Sequence, residues 1–182
     1  WFGYPRPDVF SKGITNSQRI SIGIKISLNE NMQEGMGFYS YDSKGVHMKG
    51  TEYPWLFTNG CMGLQSCNIP LIDDVFGEKA GIYTVRIGFT APAKRSPFDV
   101  KLQGKTVLAG VDIMKETGGA NRPVIKEFNG IEVADTLKLE IITGIKNSDT
   151  KQSQAINFIE IIREDPLEVQ ERSEDVRMLN LS

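Results

Sequence analysis

The densest group of side chains able to hold a ligand is Tyr53-Pro54-Trp55-Leu56-Phe57-Thr58-Asn59, preceded by Phe38-Tyr39-Ser40-Tyr41-Asp42. Flat rings beside hydroxyl and amide groups suit a ligand with an apolar face and a polar rim, since the ring covers the face and hydrogen bonds satisfy the rim. In extended backbone Tyr53, Trp55 and Phe57 alternate and would share one side. Two arrangements are open on that spacing. Either the shared side is packed and seals one end of the fold, or Trp55 stands toward solvent as a platform beside Tyr39 and Tyr53.

Other chemistry-bearing types point nowhere specific. His47, the one histidine, lies in Gly45-Val46-His47-Met48 with no Ser or Cys nucleophile pattern around it, which argues against a His-based triad. Asp73-Asp74, Glu78 and Asp112 supply carboxylates, yet their spacing singles out no pair for acid/base hydrolysis, so no catalytic residue is assigned. Asp73-Asp74 reads as a solvated loop, with a structural calcium site built from loop oxygens as the alternative. No phosphate loop or nucleotide fingerprint indicates any other cofactor. Cys61 and Cys67 are too few for a disulfide framework or a four-ligand zinc site. On a single strand they would face one side but lie too far apart to bridge without a turn. Two buried reduced thiols and a disulfide both remain open.

The elements that must position these groups are strands. Arg19-Ile20-Ser21-Ile22-Gly23-Ile24-Lys25-Ile26 puts four isoleucines on one side and polar or small residues on the other. Ile82 to Phe89, Phe98 to Leu102, Leu137 to Ile141 and Ile156 to Ile161 alternate likewise, so each has one wet face, as antiparallel strands do. Gln103-Gly104, Gly118-Gly119, Asn129-Gly130 and Thr143-Gly144 mark turns. Lys101 to Val107 is therefore expected to form a tight hairpin, and Ile125 to Val133 a second one about Asn129-Gly130. No helical period persists for three turns before residue 165, which excludes crossover helices and a parallel sheet. The expected fold is all-β, a two-sheet antiparallel sandwich of jelly-roll-like form. Residues 1–18 read as a linker packing on the domain, residues 19–164 as the sandwich, and residues 165–182 as a charged tail or short helix.

Across 182 residues, 40% are hydrophobic and 24% charged, an ordinary globular composition able to bury a core. Net charge is -2, from 21 basic and 23 acidic residues, which leaves no global field for nucleic acid or an anionic membrane. No run approaches the roughly 20 apolar residues of a membrane span. The start at Trp1 reads as a chain already in progress, an excised or processed fragment of a larger secreted, bacterial-type protein.

From Gly81 onward the order of motifs resembles the malectin-like family of carbohydrate-binding modules. The matching strings are Gly81 to Phe89, Pro97-Phe98-Asp99-Val100-Lys101-Leu102-Gln103-Gly104-Lys105-Thr106-Val107, Val111-Asp112-Ile113, and Ala155 to Ile161 as the closing strand. The resemblance covers roughly the C-terminal 80 residues of the sandwich, while the first 75 match only loosely. It implies a non-catalytic sandwich that binds glycans through loops at one end, often appended to glycoside hydrolases or lyases, and an extracellular or periplasmic setting. A glycan and neighbouring domains of the same chain are the implied partners; a spacer or protein-interaction sandwich is the other reading.

In that family the loop between the Phe89 and Phe98 strands supplies aromatic contacts. Here it is Thr90-Ala91-Pro92-Ala93-Lys94-Arg95-Ser96, without an aromatic, which suggests an acidic sugar gripped by Lys94 and Arg95 or no sugar. The family also places an acid before its last strand, where Asp149 stands; a turn Asp capping its own backbone is the alternative. Asn121 and Arg122 could reach the same rim from Gly118-Gly119-Ala120-Asn121-Arg122. Tyr39, Tyr53, Trp55, Arg95, Asn121 and Asp149 are thus the candidate ligand contacts.

Overall fold

The alternating runs fold into two five-stranded antiparallel sheets. The first holds β1 (Lys25–Leu28), β4 (Leu64–Pro70), β9 (Thr136–Thr143), β6 (Phe98–Leu102) and β7 (Lys105–Val111), in that order. The second holds β2 (Gly37–Ser40), β3 (Asn59–Met62), β10 (Ala155–Arg163), β5 (Gly81–Thr90) and β8 (Val124–Val133). This computed structural model describes residues 23–28, 37–40, 47–71, 80–143 and 154–165. The expected linker, the tail beyond Asp165, Tyr41, Asp73-Asp74, Glu78 and Asp149 lie outside those residues.

Alternation decides the packing. Tyr83, Val85, Ile87 and Phe89 of β5 face Cys67 and Ile69 of β4, Val100 and Leu102 of β6, and Leu137, Leu139 and Ile141 of β9 in one buried cluster. The Phe89 and Phe98 rings, 5.4 Å apart between centroids, join the two sheets. Ile24 and Ile26 pack against the same cluster, as their pattern requires. Each fully buried chain of this size contributes about 1.5–3 kcal/mol of apolar transfer, so this interior is the main source of stability.

The Gln103-Gly104 turn between β6 and β7 is a two-residue hairpin with both residues at positive φ (51° and 76°), the twist such turns require. The Gln103 side chain ties it down, accepting from Lys138 N at 2.9 Å and donating to Thr136 O at 3.2 Å. Asn129-Gly130 forms no hairpin. β8 runs straight through it, because Tyr83 pairs with Ile131 and Val85 with Phe128, leaving Asn129 and Gly130 together opposite Thr84. Gly130, at φ 70°, makes this a bulge: the positive φ that suits a turn also suits an extra residue in a paired strand. The reversal falls at Ala134-Asp135, where the chain leaves β8 and enters β9 of the other sheet.

Cys61 and Cys67 do not share a strand. Gly63, at φ 78°, lets the chain turn from β3 in one sheet into β4 in the other, so the two thiols enter the interior from different sheets. Both are free and buried. Burial pushes each thiol up to about 12, with the proximity of Cys67 adding to the effect on Cys61. They are inert fillers of the core.

A second bulge shapes β10. Ile156 pairs with Phe89 and Phe158 with Gly88, so Asn157 is the extra residue. It shifts the alternation by one: Ile156, Ile159 and Ile161 face the core, while Phe158 turns to the outer face of its sheet. There its ring lies on Gly88, where a Cβ would stand 2.2 Å from the Phe158 ring.

Two predictions follow from these contacts. Gly88→Ala forces the Phe158 ring off its seat and should cost about 1–3 kcal/mol, as over-packing does; urea unfolding of the variant measures it, and Phe158→Leu in the same chain should recover part of the loss. The second concerns the carboxylates that close β10 onto its neighbours. Glu164 is held below the ordinary carboxylate range by the Thr84 hydroxyl and then the Gly130 N–H, and Asp165 by the Ile82 N–H and then Arg163. A depressed folded-state pKa stabilises above the ordinary range near pH 4, and that stability is lost as pH falls through the lower folded values. Both groups are wetted by solvent, so the contribution is modest. Urea midpoints measured from about pH 5 down to about pH 3 should fall less steeply for a Glu164→Gln, Asp165→Asn variant than for the unchanged chain; parallel slopes would refute the closure.

Candidate functional site

The aromatic segment breaks the alternation its spacing suggests. Pro54 opens a 3₁₀ turn over Pro54–Phe57, in which Leu56 N donates to Tyr53 O at 3.1 Å. The fixed φ of proline starts a helical turn readily, and helical backbone does not place residues i, i+2 and i+4 on one side. Tyr53, Trp55 and Phe57 therefore part company: Phe57 is 2% exposed, whereas Tyr53 and Trp55 are 55% and 47% exposed. The shared side does not form, but Trp55 stands toward solvent with Tyr53, as the second arrangement has it. The buried member anchors the turn and the other two are left on the surface.

The anchoring is specific. Met48, Phe57 and Phe158 form a small apolar cluster with Leu56 against it, and the Phe57 and Phe158 rings meet edge to face at 5.5 Å. Met48 and Phe57 thus close residues 48–57 into a loop whose two ends share one contact on the outer face of the second sheet. Inside the loop Thr51 Oγ1 accepts from Tyr53 N at 3.1 Å, and Trp55 O accepts from Thr58 Oγ1 at 3.1 Å and Asn59 Nδ2 at 3.4 Å.

Beneath the loop lies the bulged Asn157, 1% exposed. Its Nδ2 donates to Asn59 O at 2.8 Å, Phe57 O at 2.9 Å and Tyr39 Oη at 3.1 Å, and its Oδ1 accepts from Thr90 Oγ1 at 3.0 Å. One amide therefore joins β2, the aromatic loop, β5 and β10. Gln154, also buried, donates to Thr90 O at 3.0 Å and Ala155 O at 2.9 Å. Asn157 is hidden in the sequence because Ile156 to Ile161 has the look of uninterrupted alternation. The available signal was a polar residue on the apolar side of a strand, which must find partners when buried.

A backbone chain ties two further loops to this end. Asn121 N donates to Ala91 O at 3.1 Å, and Lys49 N donates to Asn121 O at 3.0 Å. Asn121 sits at φ 53° in the left-handed region, an uncommon setting for a residue other than glycine that asparagine tolerates best. Its Oδ1 is buried without a hydrogen-bond partner. Arg122 is exposed beside it, as is Lys94 after Ala91, and Arg95 is half-buried.

Of the sequence candidates, Tyr53 and Trp55 share the surface of one loop, and Tyr39 lies half-buried under its base with its hydroxyl engaged. Asn121 joins them through Lys49. Arg95 belongs to the loop that begins at Ala91, and Asp149 is outside the described residues. His47 is exposed on the strand-free approach to the loop, and Asp112 is a helix cap, accepting from Lys115 N at 3.1 Å. A void of about 10 Å³ lies between the sheets, lined by Ile26, Phe38, Cys61, Leu64, Ile156 and Ile159; it is apolar and no larger than one water, so it holds no ligand.

Comparison with known proteins agrees with this architecture. A family model described as "Malectin domain" matches residues 16–167. The chain belongs to the malectin domain family. No curated protein matches it. Among solved structures, this malectin domain is similar to a beta-glucuronidase of Bacteroides uniformis, with a TM-score of 0.57 and 14% identity over 80% of this chain and 14% of that one. It is also similar to the ANX2 ectodomain of Arabidopsis thaliana, with a TM-score of 0.53 and 12% identity over 74% of this chain and 42% of that one. A chain in the crystal structure of plant peptide RALF23 in complex with FER and LLG2 is similar as well, with a TM-score of 0.53 and 16% identity over 72% of this chain and 40% of that one. At these identities the likeness is one of fold. The malectin domain spans less than half the length of each of these chains. No helix among the described residues is long and apolar enough to cross a membrane.

The Asn157 amide yields a prediction of its own. Asn157→Ala leaves the Phe57 and Asn59 carbonyls buried without that donor, a loss on the order of 1–3 kcal/mol in urea unfolding. In a Trp1→Phe background, where Trp55 is the sole tryptophan, the same change should raise collisional quenching of Trp55 fluorescence by acrylamide; unchanged quenching would separate the amide from the loop.

Proposed function

We propose that this malectin domain is a non-catalytic carbohydrate-binding module working in an extracellular or periplasmic protein alongside other domains. The observation that carries the reading is the pair of exposed rings, Tyr53 and Trp55, on a loop closed at its base and backed by a hydrogen-bonded floor. Large rings left in water cost free energy that a sugar's C–H face recovers on stacking, and a loop already ordered loses little entropy when it binds. Exposed Arg122, on the loop bonded to this one through Asn121 and Lys49, offers donors for the hydroxyl rim. The module is proposed to need no cofactor, so binding should persist in the presence of a chelator.

Family membership supports a binding role over a catalytic one. The glucuronidase neighbour is consistent with a module that accompanies a carbohydrate-active enzyme, and the plant ectodomains with an extracellular setting. A second reading, a peptide- or protein-binding sandwich, draws on the FER complex and on Ile82 and Ile162, each 40% exposed on the outer face of the second sheet.

Isothermal titration against a panel of neutral and acidic oligosaccharides distinguishes the two. Binding is expected to weaken roughly 30-fold or more in Trp55→Ala, the loss typical of a central aromatic contact, and to change little in Ile162→Ser. Silence across the panel would transfer the role to the protein-interaction reading, and binding indifferent to Trp55 would move the sugar site off the aromatic loop.

A further inference from the structure

Three loops meet at one end of the sandwich, and their charge is one-sided. Residues 48–57 carry Lys49, the loop after β5 carries Lys94 and Arg95, and the loop before β8 carries Arg122. Their backbones are bonded in series through Ala91, Asn121 and Lys49, which puts Lys49 and Arg122 at or next to the bonded residues and Lys94 and Arg95 three and four residues past Ala91. Lys49, Lys94 and Arg122 are exposed. Among the described residues of these three loops Glu52 is the one acid, and in the short helix Ile113–Thr117 that leads to the third, Glu116 pairs with Lys126 while Asp112 caps the helix. At the opposite end the signs are mixed, with Glu132, Asp135 and Glu164 standing among Lys101, Lys105 and Lys138.

We infer that the ligand taken at this end is an anionic saccharide, its ring stacked on Trp55 or Tyr53 and its carboxylate or sulfate received by Lys49, Lys94 and Arg122. This inference rests on the carbohydrate-binding reading and narrows it. Because the whole chain carries a net charge of -2, the cation excess is local, not a share of a general field. Cations carried on adjoining loops repel one another, and a bound anion relieves that repulsion.

The test uses the whole chain and matched oligosaccharides: a hexuronate oligomer, the same oligomer with its carboxylates reduced to alcohols, and a sulfated oligomer of equal length. Titrations at low and moderate salt are run for the unchanged chain, for Lys94→Gln with Arg122→Gln, and for Trp55→Ala. The expected result is a preference of roughly tenfold or more for one anionic oligomer over the reduced one, lost in the Lys94/Arg122 variant and shrinking as salt rises. The carboxylated and sulfated arms identify which anion is received. Equal affinity for charged and reduced oligomers, with Trp55→Ala still abolishing binding, overturns the anionic inference and leaves sugar recognition standing. Absence of binding to every oligomer overturns both.

Discussion

The constraint on which this domain depends is the placement of one buried amide. Asn157 is an extra residue in the last strand, and the bulge it creates turns Phe158 outward while keeping Ile156, Ile159 and Ile161 inward. The amide so displaced must be satisfied, and its partners are the carbonyls of the loop that Phe158 also holds. Backbone hydrogen bonding and apolar packing thereby converge on the same segment from one irregularity. Without it the aromatic loop would have neither a floor nor a clamp.

Such an arrangement separates two jobs that a small sandwich has to perform at once. The interior is filled by regular alternation from both sheets, and it tolerates no ligand. Recognition is moved to the outer face and loop end, where Gly88 makes room for one ring and Pro54 turns the chain so that others face water. The bulge at Asn129-Gly130 has a comparable effect at the opposite end, where Glu164 and Asp165 close the final strand over β5 and β8. Irregular residues, more than regular ones, decide what this surface can do.

Much of the fold was legible in the chain because it rests on period-two alternation, which is a local property. The strands at Ile82, Phe98, Leu137 and Ile156, the Gln103-Gly104 hairpin and the all-β class follow from it directly. Two local signals misled for a shared reason. Asn129-Gly130 and the Tyr53, Trp55, Phe57 spacing each admit more than one backbone path, and the choice was made by partners far away in sequence: β5 pairing across the first, and Phe158 seating Phe57 in the second.

By itself, then, the sequence determined the type of element at each position, the inward face of most strands, the family resemblance and the supply of aromatic and cationic side chains. Tertiary structure alone decided which strands share a sheet, that the two cysteines enter from different sheets, and that Trp55 is wet while Phe57 is dry. The physical reason is range. Alternation and turn preference act over a few residues, whereas burial is set by contacts such as Phe57 with Phe158 and Asn157 with Tyr39, whose partners stand about a hundred residues apart along the chain.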